Sequence, residues 1–247
     1  MRIAKALALG GVGARRKCET HILEGRVTVN GEVAKDLGRQ VEPGKDKITF
    51  LGKPIRFEAQ VYFLLYKPEG YTTTASDPHA KKTVYELLPK NLVRALAHGS
   101  GSKTRVFPVG RLDRDSTGLL LFTNDGDLAN RLSHPRYEVE KAYQVELDKP
   151  FEGKDVEVLL KGIRLEDGIA KARRVEKISE KSISVVIAEG KKREVRRIFA
   201  VIGYCVIRLC RVRFGSLVLG KLSPGEGRYL SPQEVELLLK SVVHSKE

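Results

Sequence analysis

The chain has 247 residues, of which 41% are hydrophobic and 31% are charged, a composition that allows a folded core and excludes the disordered class. Lys and Arg number 45 against 31 Asp and Glu, and the resulting charge of +14 indicates a polyanionic partner, with a salt-bridged surface as the alternative explanation. Three cysteines without a CxxC pair and the lack of a membrane-length apolar run predict a cytoplasmic protein without a disulfide framework.

The N-terminal residues predict two helices and a hairpin. The first helix covers 3–9 and the second covers 14–24, where Cys18 and Ile22 share the apolar side. The alternating segment RVTVNG then reaches an Asn-Gly pair, which is typical of a tight hairpin turn. These elements predict a small helix–helix–hairpin domain over residues 1–58.

The remaining residues, 61–247, predict an α+β domain with a mixed, mainly antiparallel sheet, because strands dominate and their connections vary. The first predicted elements in chain order are a strand over 61–68, a loop over 98–103, a strand over 119–123, a helix with Asp125 as its N-cap and a strand over 138–147. Two or three strands follow within 163–188, and then a basic helix over 191–202 and a strand over 204–214. The last element is a helix over 231–243, which begins with Ser231, Pro232 and Glu234.

Charged residues crowd the glycine-bounded loop GRLDRDSTG (110–118), directly before the apolar run LLLF. A carboxylate on such a loop can act as a nucleophile or a base, and the neighbouring arginines can keep it ionised or bind a phosphate. Chemistry alone does not choose between Asp113 and Asp115, and a solvated turn with local ion pairs explains the same residues.

A tyrosine in the predicted strand EVEKAYQVEL is a second candidate. Alternation places Tyr143 on one strand face with Lys141 and Val145. A tyrosine at such a position is usually part of the core, and the functional alternative is a ring that stacks on a nucleic-acid base.

The segment GKKREVRRIF (190–199) predicts a basic helix face. Arg193, Arg196 and Arg197 are spaced at i, i+3 and i+4, which places them on one side of a helix, with Glu194 as the acidic residue to balance them. A basic helix face of this kind is at least as consistent with binding to RNA phosphates as with exposure to solvent.

Neither a metal site nor a nucleotide site is predicted. The five histidines are scattered, and the sequence has no GxxxxGK[ST] motif and no GxGxxG after a strand. We therefore expect neither a metal ion nor a cofactor.

The segment VGRLDRDSTGLLLFTNDGDLANRLSHPRYEVEKAYQVEL resembles the signature of the bacterial ribosomal RNA pseudouridine synthases of the RsuA/RluB type. The resemblance continues through EGKKREVRRIFAVIGYCVIRLCRVRFGSLVLGKLSPGEGRYL. The N-terminal segment RRKCETHILEGRVTVNGEVAKDLGRQVEPGKDKITF is similar to the S-four-type RNA-binding domain that commonly precedes this catalytic domain. The combination of GRLD, KxY and VRR at these spacings is far more specific for this family than any single one of the three motifs.

The resemblance implies an enzyme that isomerises uridine to pseudouridine in ribosomal RNA. It selects Asp113, the aspartate of GRLD, as the catalytic nucleophile. It implies that Tyr143 stacks on the target uracil and that Arg196 pairs with the catalytic carboxylate, with Arg197 as the alternative one position further on. It also assigns an S-four-type RNA-binding domain to 1–58 and the catalytic domain to 61–247.

Further positions are expected to bind RNA or to pack at the site. Arg111 falls where the family has an arginine near the flipped-out nucleotide, and Leu209 aligns with an apolar residue that packs against the site. The residues expected to contact RNA phosphates are Arg15, Arg16, Lys17, Arg26, Arg193 and Arg197.

The implied partner is ribosomal RNA or a pre-ribosomal particle, with no membrane and no nucleotide cofactor, and a monomer is the default. Large-subunit RNA is slightly preferred, while small-subunit RNA and transfer RNA are alternatives with the same chemistry. A non-catalytic RNA-binding or ribosome-assembly factor is the alternative of a different class. The charge and the N-terminal domain fit that alternative equally well, and the intact Asp113 loop argues against it.

Overall fold

The computed structural model describes residues 1–57, 59–74, 80–92 and 106–241. These residues form two compact units, the first over Met1–Gln60 and the second from Val61 onward. The loop that the sequence predicts over 98–103 lies outside the described residues. Within these ranges, no helix has both the length and the apolar composition needed to cross a membrane.

The first unit contains two helices and four short strands in its described part. They are α1 (Ile3–Leu9), α2 (Arg15–Leu23), β1 (Val27–Val29), β2 (Glu32–Val33), β3 (Ile48–Phe50) and β4 (Lys53–Pro54). The sheet order is β2-β1-β3-β4. Cys18 and Ile22 of α2 are fully buried in the core that the helices share with β1 and β3. The predicted helix–helix–hairpin arrangement is therefore confirmed.

The hairpin between β1 and β2 turns at the predicted Asn-Gly pair. Val29 and Glu32 are the last paired residues, and Asn30 and Gly31 between them have φ values of +53° and +92°. Positive φ at both central residues defines the turn type whose twist matches paired strands. The Asn30 side chain also donates a 2.9 Å hydrogen bond to Asp46, which ties the turn to the loop before β3.

The described part of the second unit combines strands with four α-helices and two short 3₁₀ helices, Val84–Leu87 and Pro135–Tyr137. Its elements are β5 (Tyr62–Lys67), β6 (Phe107–Pro108), β7 (Thr117–Thr123), α3 (Gly126–Ser133), β8 (Lys141–Leu147), α4 (Asp155–Lys161), β9 (Ile163–Leu165), β10 (Gly168–Ala170), β11 (Ala172–Lys177), β12 (Ser182–Ile187), α5 (Glu194–Val201), β13 (Val206–Phe214), β14 (Leu217–Val218), β15 (Gly227–Tyr229) and α6 (Pro232–Ser241).

Nine of these strands form one sheet within the described residues. Its order is β11-β12-β8-β13-β7-β5-β15, with β14 beside β13 and β6 beside β7, while β9 and β10 pair separately. Among the described pairs of this sheet, β13 and β7 run parallel and the others run antiparallel. The predicted α+β class with a mixed, mainly antiparallel sheet is confirmed.

The sheet separates two apolar clusters because alternate side chains of a strand point to opposite faces. On β7, Leu120 and Phe122 belong to one cluster, whereas Leu119 and Leu121 belong to the other. Helices α4 and α5 contribute to the first cluster, and α3 and α6 contribute to the second. The sheet is thus covered by helices on both faces.

Both predicted helix caps are present. Asp125 accepts hydrogen bonds from two main-chain nitrogens in the first turn of α3. At α6, the Glu234 nitrogen donates to Ser231 Oγ at 3.2 Å, and the Ser231 nitrogen donates to a Glu234 carboxylate oxygen at 2.9 Å. Arg228 donates two further hydrogen bonds to Glu234, at 2.7 and 2.6 Å. Chiefly because of Arg228, the pKa of Glu234 falls to about 2.

The Glu234→Gln variant should lose stability at neutral pH and match the wild type in acid. A carboxyl with a depressed pKa in the folded state stabilises the fold above its usual pKa near 4.5, and this contribution disappears as the pH falls toward 2. Because the partner arginine is partly exposed, we expect the free energy of unfolding, measured by urea denaturation at pH 7, to fall by about 1 kcal/mol. The control is Glu236→Gln, which alters an exposed ion pair with Lys240 on the same helix. The prediction would be contradicted if the free energy of unfolding of Glu234→Gln differed from that of the wild type by the same amount at pH 7 and at pH 2.

Candidate active site

The loop over residues 110–118, which connects β6 to β7 and includes the first two residues of β7, contains the charged cluster found in the sequence. It ends at Gly118, whose φ is +103° and which pairs with Arg211 where β7 and β13 run parallel. A Cβ at Gly118 would lie 2.3 Å from the Arg211 carbonyl oxygen and 2.6 Å from its nitrogen. Glycine is therefore required here, and its close approach fixes the end of the loop against β13.

Lys67 supports the loop from inside the protein. Its side chain is fully buried, and Nζ donates to the main-chain oxygens of Ser116 at 2.6 Å, Pro68 at 3.1 Å and Arg114 at 3.4 Å. Burial lowers the pKa of Lys67 to about 8, although the loop carboxylates oppose this shift. Lys67 is a functional candidate that the sequence patterns did not single out, and its signal is a lysine at the end of the apolar run VYFLLY.

Hydrogen bonds also fix the main chain on either side of Asp113. Thr73 Oγ1 donates to the Leu112 oxygen at 2.8 Å, and the Ser116 nitrogen donates to the Asp113 oxygen at 3.1 Å, which closes a tight turn. The Asp113 carboxylate itself is half-buried and makes no hydrogen bond or ion pair within the described residues. Among the residues that the structure describes, the loop therefore presents a carboxylate without a hydrogen-bond or ion-pair partner, on a main chain that hydrogen bonds hold on both sides.

Arg196 of α5 binds the loop at Asp115. Nη2 donates to the Asp115 main-chain oxygen at 2.9 Å, and Nε lies 3.3 Å from Asp115 Oδ2. Nη1 donates to the main-chain oxygen of Val206 at the start of β13. The expected pair between Arg196 and Asp113 is not among the contacts of the described residues, in which Arg196 binds Asp115, and it stays a prediction for the RNA-bound protein. Arg196 instead connects the loop, α5 and β13.

The Asp115 carboxylate also accepts hydrogen bonds from Arg193. The two guanidinium nitrogens Nη1 and Nη2 donate to Oδ1 and Oδ2 at 2.9 and 2.8 Å. Hydrogen bonding to Arg193 holds the pKa of the Asp115 carboxyl below its usual value, and the charge of Arg196 acts in the same direction. Of the two aspartates of the loop, Asp115 is the one bound by arginines within the described residues.

The basic helix begins later than predicted. α5 starts at Glu194, and Arg193 precedes it with a left-handed φ of +52°, so Arg193 does not share a helical face with Arg196 and Arg197. Glu194 is buried, accepts a hydrogen bond from the Lys191 nitrogen at 3.0 Å and has a pKa raised by burial. The carboxylates that pair with the three arginines belong to Asp115 and Asp167, and Glu194 acts on Arg197 only through its charge.

Arg197, the alternative partner expected for the Asp113 carboxylate, pairs with a different aspartate. Its Nη1 and Nη2 donate to the Asp167 carboxylate at 2.9 and 2.6 Å. Asp167 lies in the turn between β9 and β10. This bidentate pair resembles the Arg193–Asp115 pair in geometry but involves no residue of the Asp113 loop.

Tyr143 and Leu209 lie within the core beside the loop. Tyr143 on β8 is 8% exposed and Leu209 on β13 is 5% exposed, and both belong to the cluster that contains Leu112 of the loop. Leu209 pairs with Val145, two residues along from Tyr143, and its main-chain oxygen accepts a 3.3 Å hydrogen bond from the hydroxyl of Thr117. Stacking of the Tyr143 ring on a base stays a prediction.

Lys141 is the buried charged residue of β8, and main-chain oxygens bind its side chain. Lys141 Nζ donates to the oxygens of Val139 at 3.1 Å and Glu189 at 3.0 Å, and burial lowers its pKa to about 8. No group of three His, Cys, Asp or Glu side chains in the described ranges is arranged to hold a metal ion.

The remaining residues expected to bind RNA are exposed. Arg111 lies at the surface of the loop, two residues before Asp113. Arg15, Arg16 and Lys17 are exposed along the first turn of α2 in the first unit. Arg26 is exposed as well, and its Nε lies 3.0 Å from a carboxylate oxygen of Glu24.

Comparison with known proteins identifies both parts of the chain. A family model described as RNA pseudouridylate synthase matches residues 61–201, and a model of the S4 domain matches residues 1–46. The ribosomal large subunit pseudouridine synthase B of Bacillus subtilis (strain 168) is 41% identical over 251 residues, which cover 99% of this chain and 98% of that protein. An uncharacterized RNA pseudouridine synthase of Aquifex aeolicus (strain VF5) is 40% identical over 247 residues, which cover 98% of this chain and 95% of the relative.

A solved structure gives the same result. A crystal structure of a pseudouridylate synthase matches with a TM-score of 0.68 at 30% identity, over 96% of this chain and 99% of that one. The resemblance seen in the GRLD, KxY and VRR segments is confirmed. The family match and the relatives together span almost the whole chain, which therefore belongs to the RNA pseudouridylate synthase family and has an S4 domain at its N-terminus.

Proposed function

We propose that this protein isomerises one or more uridines of large-subunit ribosomal RNA to pseudouridine in the cytoplasm, with Asp113 as the nucleophile. The observation that supports it most is the half-buried Asp113 carboxylate, which has no partner within the described residues although the surrounding main chain is fixed. The preference for the large subunit rests on the relative from Bacillus subtilis, which is named for that activity.

The reaction needs a group that acts on C1′ or on the base. The C1′–N1 bond breaks, the uracil rotates, a bond forms between C1′ and C5, and the proton on C5 is lost while N1 gains one. No electrons are transferred overall. A carboxylate can attack the sugar C1′, add to the base or remove a sugar proton, and Asp113 fits each of these roles.

The target uridine must leave its stack before Asp113 can reach it. Unstacking costs a few kcal/mol, and binding of the surrounding RNA to basic residues can offset that cost. The exposed Arg111 of the loop and the exposed cations of α2 are suited to this binding. We propose that residues 1–58 form the RNA-binding domain and supply affinity, and that residues 61–247 form the catalytic domain.

Tyr143→Phe should be far milder than Tyr143→Ala. A ring that stacks on the flipped uracil contributes about 1–3 kcal/mol per base, which both Tyr and Phe supply. Alanine also removes a ring from the core, at a cost of about 3–5 kcal/mol in stability. We therefore expect Tyr143→Ala to lower kcat/KM and the melting temperature together, and Tyr143→Phe to stay within about tenfold of the wild type in kcat/KM. An equal loss of kcat/KM in Tyr143→Phe and Tyr143→Ala would contradict a stacking role for the ring.

The double variant Arg15→Gln, Arg16→Gln should weaken RNA binding through lost phosphate contacts. Each contact contributes about 0.7–0.9 to the slope of log affinity against log salt, so the slope should become shallower by about 1.5. The measurement is a salt titration of the dissociation constant for ribosomal RNA. The matched control is Lys53→Gln, an exposed cation on β4 of the same unit. An unchanged slope in the double variant would remove these residues from the RNA interface.

The function is tested with transcripts that contain uridine tritiated at C5. Incubation with the wild-type protein should release tritium from large-subunit ribosomal RNA, to about one equivalent for each modified site. Small-subunit ribosomal RNA and transfer RNA transcripts serve as parallel substrates, and release from one of them instead would reassign the substrate. Tight binding to ribosomal RNA or pre-ribosomal particles with no release from any transcript would favour the non-catalytic alternative.

A further inference from the structure

The segment over residues 70–73 runs beside the loop at the position of Asp113. Its first residue donates through the main-chain nitrogen to the Arg114 oxygen at 2.8 Å, and its last residue donates through the side-chain hydroxyl to the Leu112 oxygen at 2.8 Å. Arg114 and Leu112 are the two neighbours of Asp113 in the chain. The main chain between the two contacts, which begins with Tyr71, therefore lies alongside Asp113.

A second stretch of chain holds the same segment. The Thr72 nitrogen donates to the Lys82 oxygen at 3.0 Å, and the Val84 nitrogen donates to the Thr72 oxygen at 3.1 Å. Tyr71 thus stands on a main chain that is hydrogen-bonded on one side of it to the loop and on the other side to this second stretch. Main-chain support of this kind fixes a side chain in place for binding.

The Tyr71 ring borders the candidate active site and has no role in the proposed mechanism. It is half-buried and packs against the apolar cluster that contains Leu112 and Tyr143. Its hydroxyl makes no hydrogen bond within the described residues. An aromatic ring that is fixed in position and still accessible is a surface on which an unpaired nucleic-acid base can stack.

Lys82 lies over this ring. Its Nζ is 5.5 Å from the centroid of the Tyr71 ring. Lys82 is exposed, and its ammonium makes no hydrogen bond or ion pair in the part of the chain that the structure describes. A cation over an exposed ring is held more weakly than a base that stacks on the ring. A nucleotide can therefore displace the ammonium from the ring, and its phosphate can bind the ammonium.

We propose that Tyr71 and Lys82 bind one nucleotide next to the target uridine, the ring by stacking on its base and the ammonium by contact with its phosphate. Stacking accepts every base but needs a free base face, so this subsite selects a target whose neighbour is unpaired rather than a particular neighbouring base. This inference rests on the proposed function, because it assumes that the target uridine reacts at Asp113.

The first test compares Tyr71→Leu and Tyr71→Phe with the wild type in gel-shift titrations of a large-subunit ribosomal RNA transcript. Leucine keeps the apolar packing and removes the ring, so the dissociation constant should rise about fivefold to a hundredfold. Phenylalanine keeps the ring and should stay within about twofold of the wild type. The loss in Tyr71→Leu should appear in KM rather than in kcat, because a neighbouring base stacks equally in the ground state and in the transition state.

Tyr85→Leu is the matched control for this test. Tyr85 is also a half-buried tyrosine that packs against the same apolar cluster, and its hydroxyl donates to the Val106 oxygen at 3.3 Å. A general loss of packing in the cluster would affect both leucine variants. We expect Tyr85→Leu to retain the wild-type dissociation constant for RNA.

The second test uses the fact that the sequence contains no tryptophan. Tyr71→Trp introduces a single indole at the proposed stacking position, and a base that stacks on the indole should quench its fluorescence as the transcript is added. Tyr85→Trp is the control, and its fluorescence should not change with RNA.

The phosphate contact is tested by salt titration of the dissociation constant. Lys82→Gln should make the slope of log affinity against log salt shallower by about 0.7–0.9, the contribution of one phosphate contact. Lys81→Gln removes the adjacent exposed lysine and should leave the slope unchanged. An equal change in the two variants would remove Lys82 from the proposed subsite.

The stacking role of Tyr71 is overturned if Tyr71→Leu binds the transcript as tightly as the wild type, if phenylalanine is as damaging as leucine, or if the fluorescence of Tyr71→Trp is unchanged at saturating RNA. Each of these results is a binding measurement that does not depend on turnover. A wild-type protein that binds the transcript and releases no tritium would instead overturn the proposed function, so the two failures are distinguishable.

Discussion

Asp113→Asn is expected to bind RNA with nearly the affinity of the wild type and to show no detectable turnover. A nucleophile acts after the substrate has docked and contributes little to ground-state binding, whereas its removal costs about 10⁴- to 10⁶-fold in rate. The main-chain hydrogen bonds that fix position 113 do not involve its carboxylate, so the fold of the loop should persist. Turnover is measured as pseudouridine formed in ribosomal RNA, and affinity by a gel-shift titration.

Asp167→Asn is the matched control, because it removes another aspartate from an exposed turn of the same unit. We expect this control to retain its turnover. Residual turnover above about 1% of wild type in Asp113→Asn would contradict the assignment of Asp113. In that case Asp115, the second carboxylate of the loop, would become the candidate nucleophile.

Arg196→Ala is expected to have the second-largest effect. The substitution breaks the connection of the loop to both α5 and β13 and leaves the main-chain oxygens of Asp115 and Val206 without their arginine donor. An unsatisfied buried polar group costs about 1–3 kcal/mol, so the melting temperature should fall. Displacement of the loop by about 1 Å should reduce kcat about a hundredfold.

Arg196→Lys and Arg197→Ala discriminate among the roles of this arginine. A lysine keeps the charge but cannot reach Asp115 and Val206 together, so it should recover only a small part of kcat. Arg197→Ala removes the neighbouring guanidinium, which pairs with Asp167, and should act mainly on RNA affinity. Wild-type kcat in Arg196→Ala would show that the connection is dispensable for the chemistry.

Features set by neighbours in the chain could be predicted from the sequence. The Asn30-Gly31 turn and the Ser231–Glu234 cap depend on residues within four positions of each other, and both are present as expected. The mainly antiparallel sheet followed from apolar alternation and turn residues. The GRLD loop could be located because its charges stand directly before an apolar strand.

Contacts between distant parts of the chain could not be predicted in the same way. Arg196 and Asp115 are 81 residues apart, and neither spacing nor composition shows which of the two aspartates faces the arginine. The later start of α5 follows from the left-handed Arg193, which helix periodicity does not reveal. Lys67 stands in a strand that reads as apolar, and its role depends on carbonyl groups from a loop about 50 positions away.

The most direct measurement of the proposed activity is pseudouridine mapping across all ribosomal RNA of a strain from which this gene has been deleted. Deletion should abolish modification at one or a few positions of large-subunit RNA. A plasmid that encodes the wild-type protein should restore those positions, and a plasmid that encodes Asp113→Asn should not. An unchanged map after deletion, or full restoration by Asp113→Asn, would contradict the proposal that this protein uses Asp113 to isomerise uridine in ribosomal RNA.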